Sequence, residues 1–406
     1  MASVAVTRTA GNALVLLLGA AVFLNYVDRG AIAVAAPLMK GDLGLTATQF
    51  GTAVSAFFWI YAPVQLVVGW LCDRFSVYRL MAWGVMLWAA STLLMGFVGG
   101  FASLLVLRVI LGVGESVVFP ASGKIIARHV PAEGRGVANA WCAAGIALGP
   151  AIGTLAGGMI LVTLGWRAIF IAFGLATLLW LAPWRKVVAR LAMDGEDRRE
   201  AMVPVGKLLR RWSLWAVGIG HACGNYGFYF LLAWLPLFLV QQRGLSIAEM
   251  TLLATLGYAV QAAAAFALGA FSDRWTRSGR SEAQVRRWML ALGQLVMAGC
   301  ILGIGFSEDM VVVGVLLCLA GVATASLSTN LYSVAQMFAG PRAAGTWIGV
   351  QNALGNISGI LGPIISGYLI DRSGYGGAFF LAAGVAAFGG LWWVVAVPKI
   401  RQVDFD

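Results

Sequence analysis

Long apolar stretches, separated by short polar segments, recur along the whole chain. Most extend over about 20 residues or more, the length that an α-helix needs to cross the hydrocarbon core of a bilayer. Short alternating segments typical of a membrane β-barrel do not occur in the sequence. The pattern predicts an all-α membrane protein with twelve transmembrane helices, near residues 11–37, 47–71, 79–98, 102–127, 137–160, 167–183, 214–240, 248–272, 288–306, 310–337, 344–370 and 377–397.

One longer polar segment interrupts this pattern between Trp184 and Ser213. It is rich in basic residues and separates six predicted spans from six more. We therefore expect an N-terminal six-helix bundle over residues 1–183, a cytoplasmic connector over residues 184–213 and a C-terminal six-helix bundle over residues 214–406.

An internal repeat supports this division into halves. The segment GWLCDRF at Gly69–Phe75 has a counterpart, GAFSDRW, at Gly269–Trp275, and each copy follows the second span of its half. Parallel six-helix repeats are typical of secondary transporters, whose substrate site lies between the repeats near the bilayer midplane. An aspartate at a helix end can bond to a neighbouring helix N-terminus and hold one conformation closed. The predicted gating residues are Asp73, Arg74, Asp273 and Arg274.

Composition agrees with a lipid environment, since 60% of the residues are hydrophobic and only 11% are charged. The net charge of +11 is concentrated in predicted cytoplasmic segments, which follows the positive-inside rule and places both termini in the cytoplasm. We therefore expect a lipid bilayer as partner and no nucleic acid. The five cysteines and two histidines have no metal-ligand spacing, and no nucleophile–base set indicates an enzyme.

Four charged residues lie well inside the predicted spans: Asp28, Arg29, Arg108 and Glu115. Each costs on the order of 2.5–3.5 kcal/mol at mid-membrane, so we expect a function for them. Arg108 and Glu115 share a helix face but lie about 10 Å apart, too far to pair with each other. A network that joins Asp28 to Arg108 and leaves Arg29 facing a ligand is one possible arrangement. The structural alternative is a buried ion network that only fixes helix register.

The two residue types in this set suit a carrier that couples an anion to protons. A guanidinium is a permanent positive charge whose planar fork matches a carboxylate. A desolvated carboxyl can take up and release a proton near neutral pH. Neutral donors in other spans complete the predicted substrate-binding set: Tyr61, Gln65, Asn225, Tyr229 and Asn352. For each of them, hydrogen bonding between helices is the alternative.

Two further features carry predictions about packing and position. Glycines at four-residue spacing in the fifth span, from Gly145 to Gly157, predict a close approach of a neighbouring helix. Gly112 and Gly114 predict the same for the fourth span. His221, near the start of the seventh span, is predicted to be an interfacial residue rather than a proton carrier.

Several motifs resemble those of a known family. The G-x-x-x-D-R motif at Gly69–Arg74 resembles the cytoplasmic loop signature of the major facilitator superfamily. NYVDR at Asn25–Arg29 and R-x6-E at Arg108–Glu115 resemble its anion:cation symporter family. That family includes bacterial galactonate, glucarate and hexuronate transporters and, more distantly, sialin and vesicular glutamate transporters. The resemblance implies that Arg29 and Arg108 bind or support a substrate carboxylate and that Asp28 and Glu115 couple protons.

Together these features predict proton-coupled uptake of a small organic anion by alternating access, in a functional monomer of a bacterial inner membrane. Protons are the coupling ion, and no cofactor or metal is expected. The resemblance favours a sugar acid, namely a hexonate, aldarate or hexuronate. The alternatives are a uniporter or exchanger of an aromatic or short hydroxy carboxylate and, less favoured, drug efflux or a transport-like sensor. Two buried arginines disfavour the cationic ligands of drug efflux.

Overall fold

The computed structural model describes residues 8–130, 135–189, 205–279 and 281–405, and within them every regular element is helical. Two compact units are present. The first comprises Met1–Gly44 and Ala56–Arg198, and the second comprises Leu45–Ser55 and Arg199–Asp406. The residues that open the second predicted span thus belong to the second unit.

The first unit is built from long apolar helices. They are α1 (Arg8–Asp42), most of α2 (Ala47–Arg74), α3 (Val77–Met95), α4 (Phe101–Glu115), α5 (Val118–His129), α6 (Arg135–Leu164) and α7 (Trp166–Val188). The fourth predicted span, 102–127, holds both α4 and α5, and the two residues between them, Ser116 and Val117, keep helical backbone angles. Glu115 is the last residue of α4 and lies in the middle of the span.

The second unit repeats the pattern after a short helix. Its elements are α8 (Val205–Leu209), α9 (Trp212–Leu237) with a π-helical extension (Phe238–Gln242), α10 (Ile247–Arg277), α11 (Glu282–Phe306), α12 (Met310–Gly355), α13 (Ile357–Ser373) and α14 (Tyr375–Val395). Gly340 has φ 62° and ψ 178°, so α12 bends sharply there and holds both the tenth predicted span and the start of the eleventh. The eleventh span continues beyond Asn356 as α13.

The predicted spans account for these helices. Among the described residues, eleven helical stretches are long and apolar enough to cross a membrane. Each corresponds to one predicted span, and the remaining prediction, 47–71, falls within α2. Among the described residues the predicted all-α membrane architecture is thus confirmed.

The glycine row of α6 sets how closely α1 can pack. A Cβ atom at Gly145 would lie 2.8 Å from the backbone nitrogen of Phe23, and one at Gly153 would lie 2.9 Å from Cα of Val27. Real Cβ atoms do not approach so closely, so these positions require glycine. The predicted packing role of the row is confirmed. With this face of α1 held against α6, Asp28 and Arg29 lie on its other sides.

Candidate functional site

Arg29 and Glu115 form a buried ion pair within the first unit. The Nε atom of Arg29 donates a hydrogen bond to Oε2 of Glu115 at 3.1 Å, joining α1 to the end of α4. The Glu115 side chain is fully buried, and that of Arg29 is 13% exposed. The prediction that Glu115 takes its partner from another helix rather than from Arg108 is confirmed.

Aromatic rings surround the Arg29 guanidinium. Its carbon lies 5.0 Å from the ring centroid of Tyr26, 5.3 Å from that of Phe57 and 4.7 Å from that of Tyr61. Cations are attracted to the faces of such rings, and the rings also fix the plane of the guanidinium. Tyr61, a predicted substrate-binding residue, therefore contacts Arg29, the residue that is predicted to bind the substrate carboxylate.

Arg108 is a second buried cation in the same unit. Only 4% of the residue is exposed, and its guanidinium carbon lies 5.2 Å from the Phe57 ring centroid. Gly112, one turn further along α4, lets α2 come close, because a Cβ there would overlap the carbonyl oxygen of Phe57. The predicted packing role of Gly112 is thus confirmed. Phe57 lies between the two arginines and touches both.

Asp28 is held by neutral donors. Its Oδ2 atom accepts a hydrogen bond from Nε1 of Trp88 at 2.6 Å and longer ones from the hydroxyls of Thr92 (3.5 Å) and Thr177 (3.4 Å). Among the described residues Asp28 makes no ion pair with Arg108, so the arrangement considered from the sequence is wrong. Asp28 turns toward α3 and α7, whereas Arg29 turns toward α2 and α4, because adjacent helical residues point about 100° apart.

The second unit contains a separate polar cluster on α9. Nε2 of His221 accepts a hydrogen bond from Nδ2 of Asn225 at 3.0 Å, which leaves Nδ1 to donate to the carbonyl of Gln351 at 3.3 Å. Asn225 also donates to the carbonyl of Gly355 at 3.3 Å. His221 is only 3% exposed and is therefore buried among the helices, while its position at the membrane interface stays a prediction. Its two hydrogen bonds satisfy the ring nitrogens inside the helix bundle.

Two tyrosine hydroxyls bind asparagines of the predicted eleventh span. The hydroxyl of Tyr229 donates to Oδ1 of Asn356 at 2.9 Å, and that of Tyr332 donates to Oδ1 of Asn352 at 3.2 Å. The candidates Asn225, Tyr229 and Asn352 thus all make hydrogen bonds within the second unit. Their contact with substrate stays a prediction.

For Gln65 and the four predicted gating residues, the structure gives burial at most and no site geometry. Gln65 is half-buried on α2, and Arg274 is exposed on α10. The side chains of Asp73, Arg74 and Asp273 lie outside the described residues, so their gating role stays a prediction. Sequence reasoning missed the partners of Asp28, although Trp88 and Thr92 stand four residues apart in an apolar span and so share one helix face.

Comparison with known proteins agrees with this architecture. The family model of the Major Facilitator Superfamily matches residues 18–346 and 248–404. The chain is 30% identical to the "Probable sulfoacetate transporter SauU" of Cupriavidus necator over 91% of this chain and 90% of that protein. It is 30% identical to the "Probable galactarate/D-glucarate transporter GudP" of Bacillus subtilis over 94% of this chain and 90% of that protein.

Two further proteins are similar at lower sequence identity. The hexuronate transporter of Bacillus subtilis is 27% identical over 93% of this chain and 92% of its own length. Among solved structures, a bacterial homologue of the human lysosomal transporter Spinster superposes with a TM-score of 0.84 at 17% sequence identity, over 97% of this chain and 98% of that one. At that identity the superposition shows a shared fold.

Proposed function

Because the chain belongs to the major facilitator superfamily, among its anion transporters, we propose that it couples the uptake of a small organic anion to protons by alternating access. The observation that carries this proposal is the buried ion pair between Arg29 and Glu115. The pair joins a cation suited to a substrate carboxylate with an acid suited to a proton. The charge on Glu115 determines whether Arg29 can bind the substrate, and an anion on Arg29 determines how readily Glu115 binds a proton.

The coupling follows from competition for one guanidinium. While Glu115 is ionised, it holds Arg29 through Oε2. Protonation of Glu115 removes its charge, and the Arg29 fork becomes available to a substrate carboxylate. An anion bound to Arg29 in turn favours the protonated form of Glu115, since the two binding equilibria are linked and the linkage is reciprocal. Proton and anion therefore occupy the carrier together.

The neighbouring groups support this cycle. Arg108 is a second buried positive charge near the Phe57 ring and favours an anion in this region. Asp28 is a second buried carboxyl without a cationic partner among the described residues, which suits a further proton-carrying group. The neutral donors proposed to bind substrate are Tyr61 and Gln65 in the first unit and Asn225, Tyr229 and Asn352 in the second.

The proposed substrate is a sugar acid. Relatives over nearly the full length are described as galactarate/D-glucarate and hexuronate transporters, which supports that class. Aromatic or short hydroxy carboxylates are the alternative, and the relative described as a sulfoacetate transporter shows that small acids other than sugars occur among similar proteins. The basic cytoplasmic segments support a bacterial inner membrane location with both termini inside. A functional monomer is proposed, since each chain carries both six-helix sets.

Transport by purified protein in proteoliposomes tests this function. A panel of hexonates, aldarates, hexuronates, sulfoacetate and aromatic acids is offered with and without an inward proton gradient. We expect gradient-driven accumulation of an acid in the panel. Glu115→Gln is expected to abolish accumulation but to keep counterflow of the same acid, because a neutral side chain leaves Arg29 permanently available.

A matched control is Glu282→Gln, which removes the half-exposed partner of Arg286. This variant should accumulate substrate like the wild type. Normal gradient-driven accumulation by Glu115→Gln would contradict the proposed coupling.

A further inference from the structure

Asn25 is a fully buried amide whose polar atoms are unused. Its exposed fraction is 0%, and neither Nδ2 nor Oδ1 has a hydrogen-bond partner among the described residues. A buried polar side chain is almost always hydrogen-bonded, either to protein or to ordered water. In an apolar span this position would be filled more favourably by leucine unless the amide bound something. Asn25 is not part of the coupling mechanism described above.

In each of the two buried carboxyls, one oxygen is hydrogen-bonded and the other has no partner among the described residues. Oδ2 of Asp28 accepts from Trp88, and Oε2 of Glu115 accepts from Arg29. The other oxygen of each group, Oδ1 of Asp28 and Oε1 of Glu115, is buried and has no partner among the described residues. Indole and guanidinium groups only donate hydrogen bonds. The oxygen without a donor is therefore the favoured position for a proton on either carboxyl.

Asn25 lies next to both of these carboxyls. It precedes Asp28 by three residues on α1, so the two side chains lie on neighbouring positions of one helix face. Glu115 bonds to Arg29, which follows Asn25 by one helical turn, so the amide and this carboxylate lie on the same side of α1. Asp28 and Glu115 are close enough to interact electrostatically. Unbonded donors and acceptors from three residues thus occupy one buried region.

The surroundings of this region hold few other ionisable groups. Those that interact electrostatically with Asp28 or Glu115 are Tyr26 and Arg29 on α1, Tyr61 on α2 and Arg108 on α4. In the described part of α3 and α7, the groups that hydrogen-bond Asp28 are those of Trp88, Thr92 and Thr177, and they do not titrate. Glycines of α6 face α1 near this point. Asp28 and Glu115 are the two carboxyls of this region among the described residues.

We propose that Asn25 is a positioning residue that holds water between Oδ1 of Asp28 and Oε1 of Glu115, forming a buried proton route between the two carboxyls. An amide suits this task because it both donates to and accepts from water while keeping no proton itself. The inference rests on the proposed function, since it gives the route by which its two proton-carrying groups exchange a proton.

The transfer step is balanced. The Oδ1–H bond of protonated Asp28 breaks as its proton passes to a water oxygen. A different O–H bond of that water breaks as its proton passes to Oε1 of the Glu115 carboxylate. Asp28 becomes ionised, Glu115 becomes neutral and the water is restored. Loss of negative charge on Glu115 then releases Arg29.

Two variants of the full-length protein test the route. Asn25→Leu keeps the size of the side chain but removes its polar atoms, and Asn25→Ser keeps a hydroxyl and leaves room for water. In proteoliposomes we expect Asn25→Leu to lower the rate of gradient-driven accumulation about a hundredfold or more, in the range attributed to assisted proton transfer. Counterflow of the same acid should stay unchanged in both variants, and Asn25→Ser should recover most of the gradient-driven rate.

Infrared difference spectra between low and high pH provide a readout that a purely structural role would not change. With wild-type protein in ordinary water and in water labelled with oxygen-18, we expect a water O–H band that shifts with the label. The band should be absent in Asn25→Leu and present in Asn25→Ser.

The outcomes separate this route from the proposed function. Wild-type protein that never accumulates an acid in response to a proton gradient would overturn the coupling, and the route with it. If the wild type is coupled, full coupling in Asn25→Leu or an unchanged water band in that variant would overturn the route alone. If Asn25→Leu does not fold, loss of the label-sensitive band in Asn25→Ser together with full coupling would overturn it.

Discussion

Asp371, at the end of α13, caps the first turn of α2 through Thr48. One carboxylate oxygen, Oδ2, accepts from the backbone nitrogen of Thr48 at 2.7 Å and from its hydroxyl at 2.6 Å, while Oδ1 accepts from the backbone nitrogen of Ala47 at 2.9 Å. The first N–H groups of a helix lack partners within the helix, and a negative charge there is favourable. One turn before Asp371, Gly367 admits α2, because a Cβ there would lie 2.5 Å from the carbonyl oxygen of Ala47.

Asp371→Ala is predicted to destabilise the second unit. It removes every acceptor that caps the two N–H groups and the Thr48 hydroxyl, and loss of a helix cap costs about 0.5–2 kcal/mol. The free energy of unfolding, measured by denaturant titration in detergent, should fall by about 1 kcal/mol or somewhat more, because the lost bonds involve a charge. Thr48→Val removes one of the three hydrogen bonds and keeps the charged cap, so a loss as large as that of Asp371→Ala would contradict this interpretation.

The contact between Asp371 and the first turn of α2 could not be predicted from the sequence. Gly367–Arg372 repeats the G-x-x-x-D-R spacing of the two predicted gating motifs, but it follows the eleventh span rather than the second span of a half. Only the structure brings Asp371 to residues more than three hundred positions earlier in the chain.

In the first unit, the charged residues could be predicted from the sequence but their partners could not. Because charges are costly in lipid, the sequence alone indicated Asp28, Arg29, Arg108 and Glu115 as functional, and the two-turn separation excluded a pair between Arg108 and Glu115. The partners depend on how each helix is rotated about its own axis, which hydropathy does not encode. Glycine spacing, in contrast, reports packing directly, and it predicted the contact between α1 and α6.

Arg29→Lys is predicted to impair substrate binding although it keeps the charge. Lysine lacks the planar fork that holds a carboxylate through two bonds and that stacks between Tyr26, Phe57 and Tyr61. We expect KM for the transported acid to rise about tenfold or more, equivalent to about 1.4 kcal/mol. Arg167→Lys is the control, because the pair of Arg167 with Asp42 is half-exposed and such pairs contribute little. Equal KM values for the wild type and Arg29→Lys would show that Arg29 does not bind the acid.

Gly149→Ala is predicted to force α1 and α6 apart. The added Cβ would lie 2.6 Å from Cβ of Tyr26 and 2.9 Å from the carbonyl oxygen of Phe23. Overpacking of this kind costs about 1–3 kcal/mol, seen as a lower free energy of unfolding. Gly123→Ala on α5 is the matched control, because nothing lies within 4 Å of its Cβ position. That control should be neutral or stabilising by up to about 1 kcal/mol, owing to the higher helix propensity of alanine.

The pH dependence of uptake is predicted not to involve His129. Partial burial, with a smaller contribution from Arg128, lowers the pKa of His129 below its usual value, so the ring is neutral at and above neutral pH. At the end of α5, the Nε2 atom of His129 contacts the hydroxyl of Tyr78, which lies at the start of α3. His129→Gln should therefore keep the wild-type rise in uptake as external pH falls, whereas Glu115→Gln should flatten it. A flat profile for His129→Gln would move the coupling group to His129.

His221 and Asn225 are predicted to act as a coupled pair in the second unit. His221→Leu leaves the Asn225 amide and the Gln351 carbonyl with fewer partners, and unsatisfied buried groups cost about 1–3 kcal/mol each. The free energy of unfolding should fall by about that amount, and KM should rise if Asn225 is misplaced.

Asn225→Leu removes the other side of the same contact. In a double-mutant cycle, the combined variant should lose less than the sum of the single losses, since residues in contact are coupled by about 0.5–3 kcal/mol. Strict additivity would show that the His221 ring does not position Asn225.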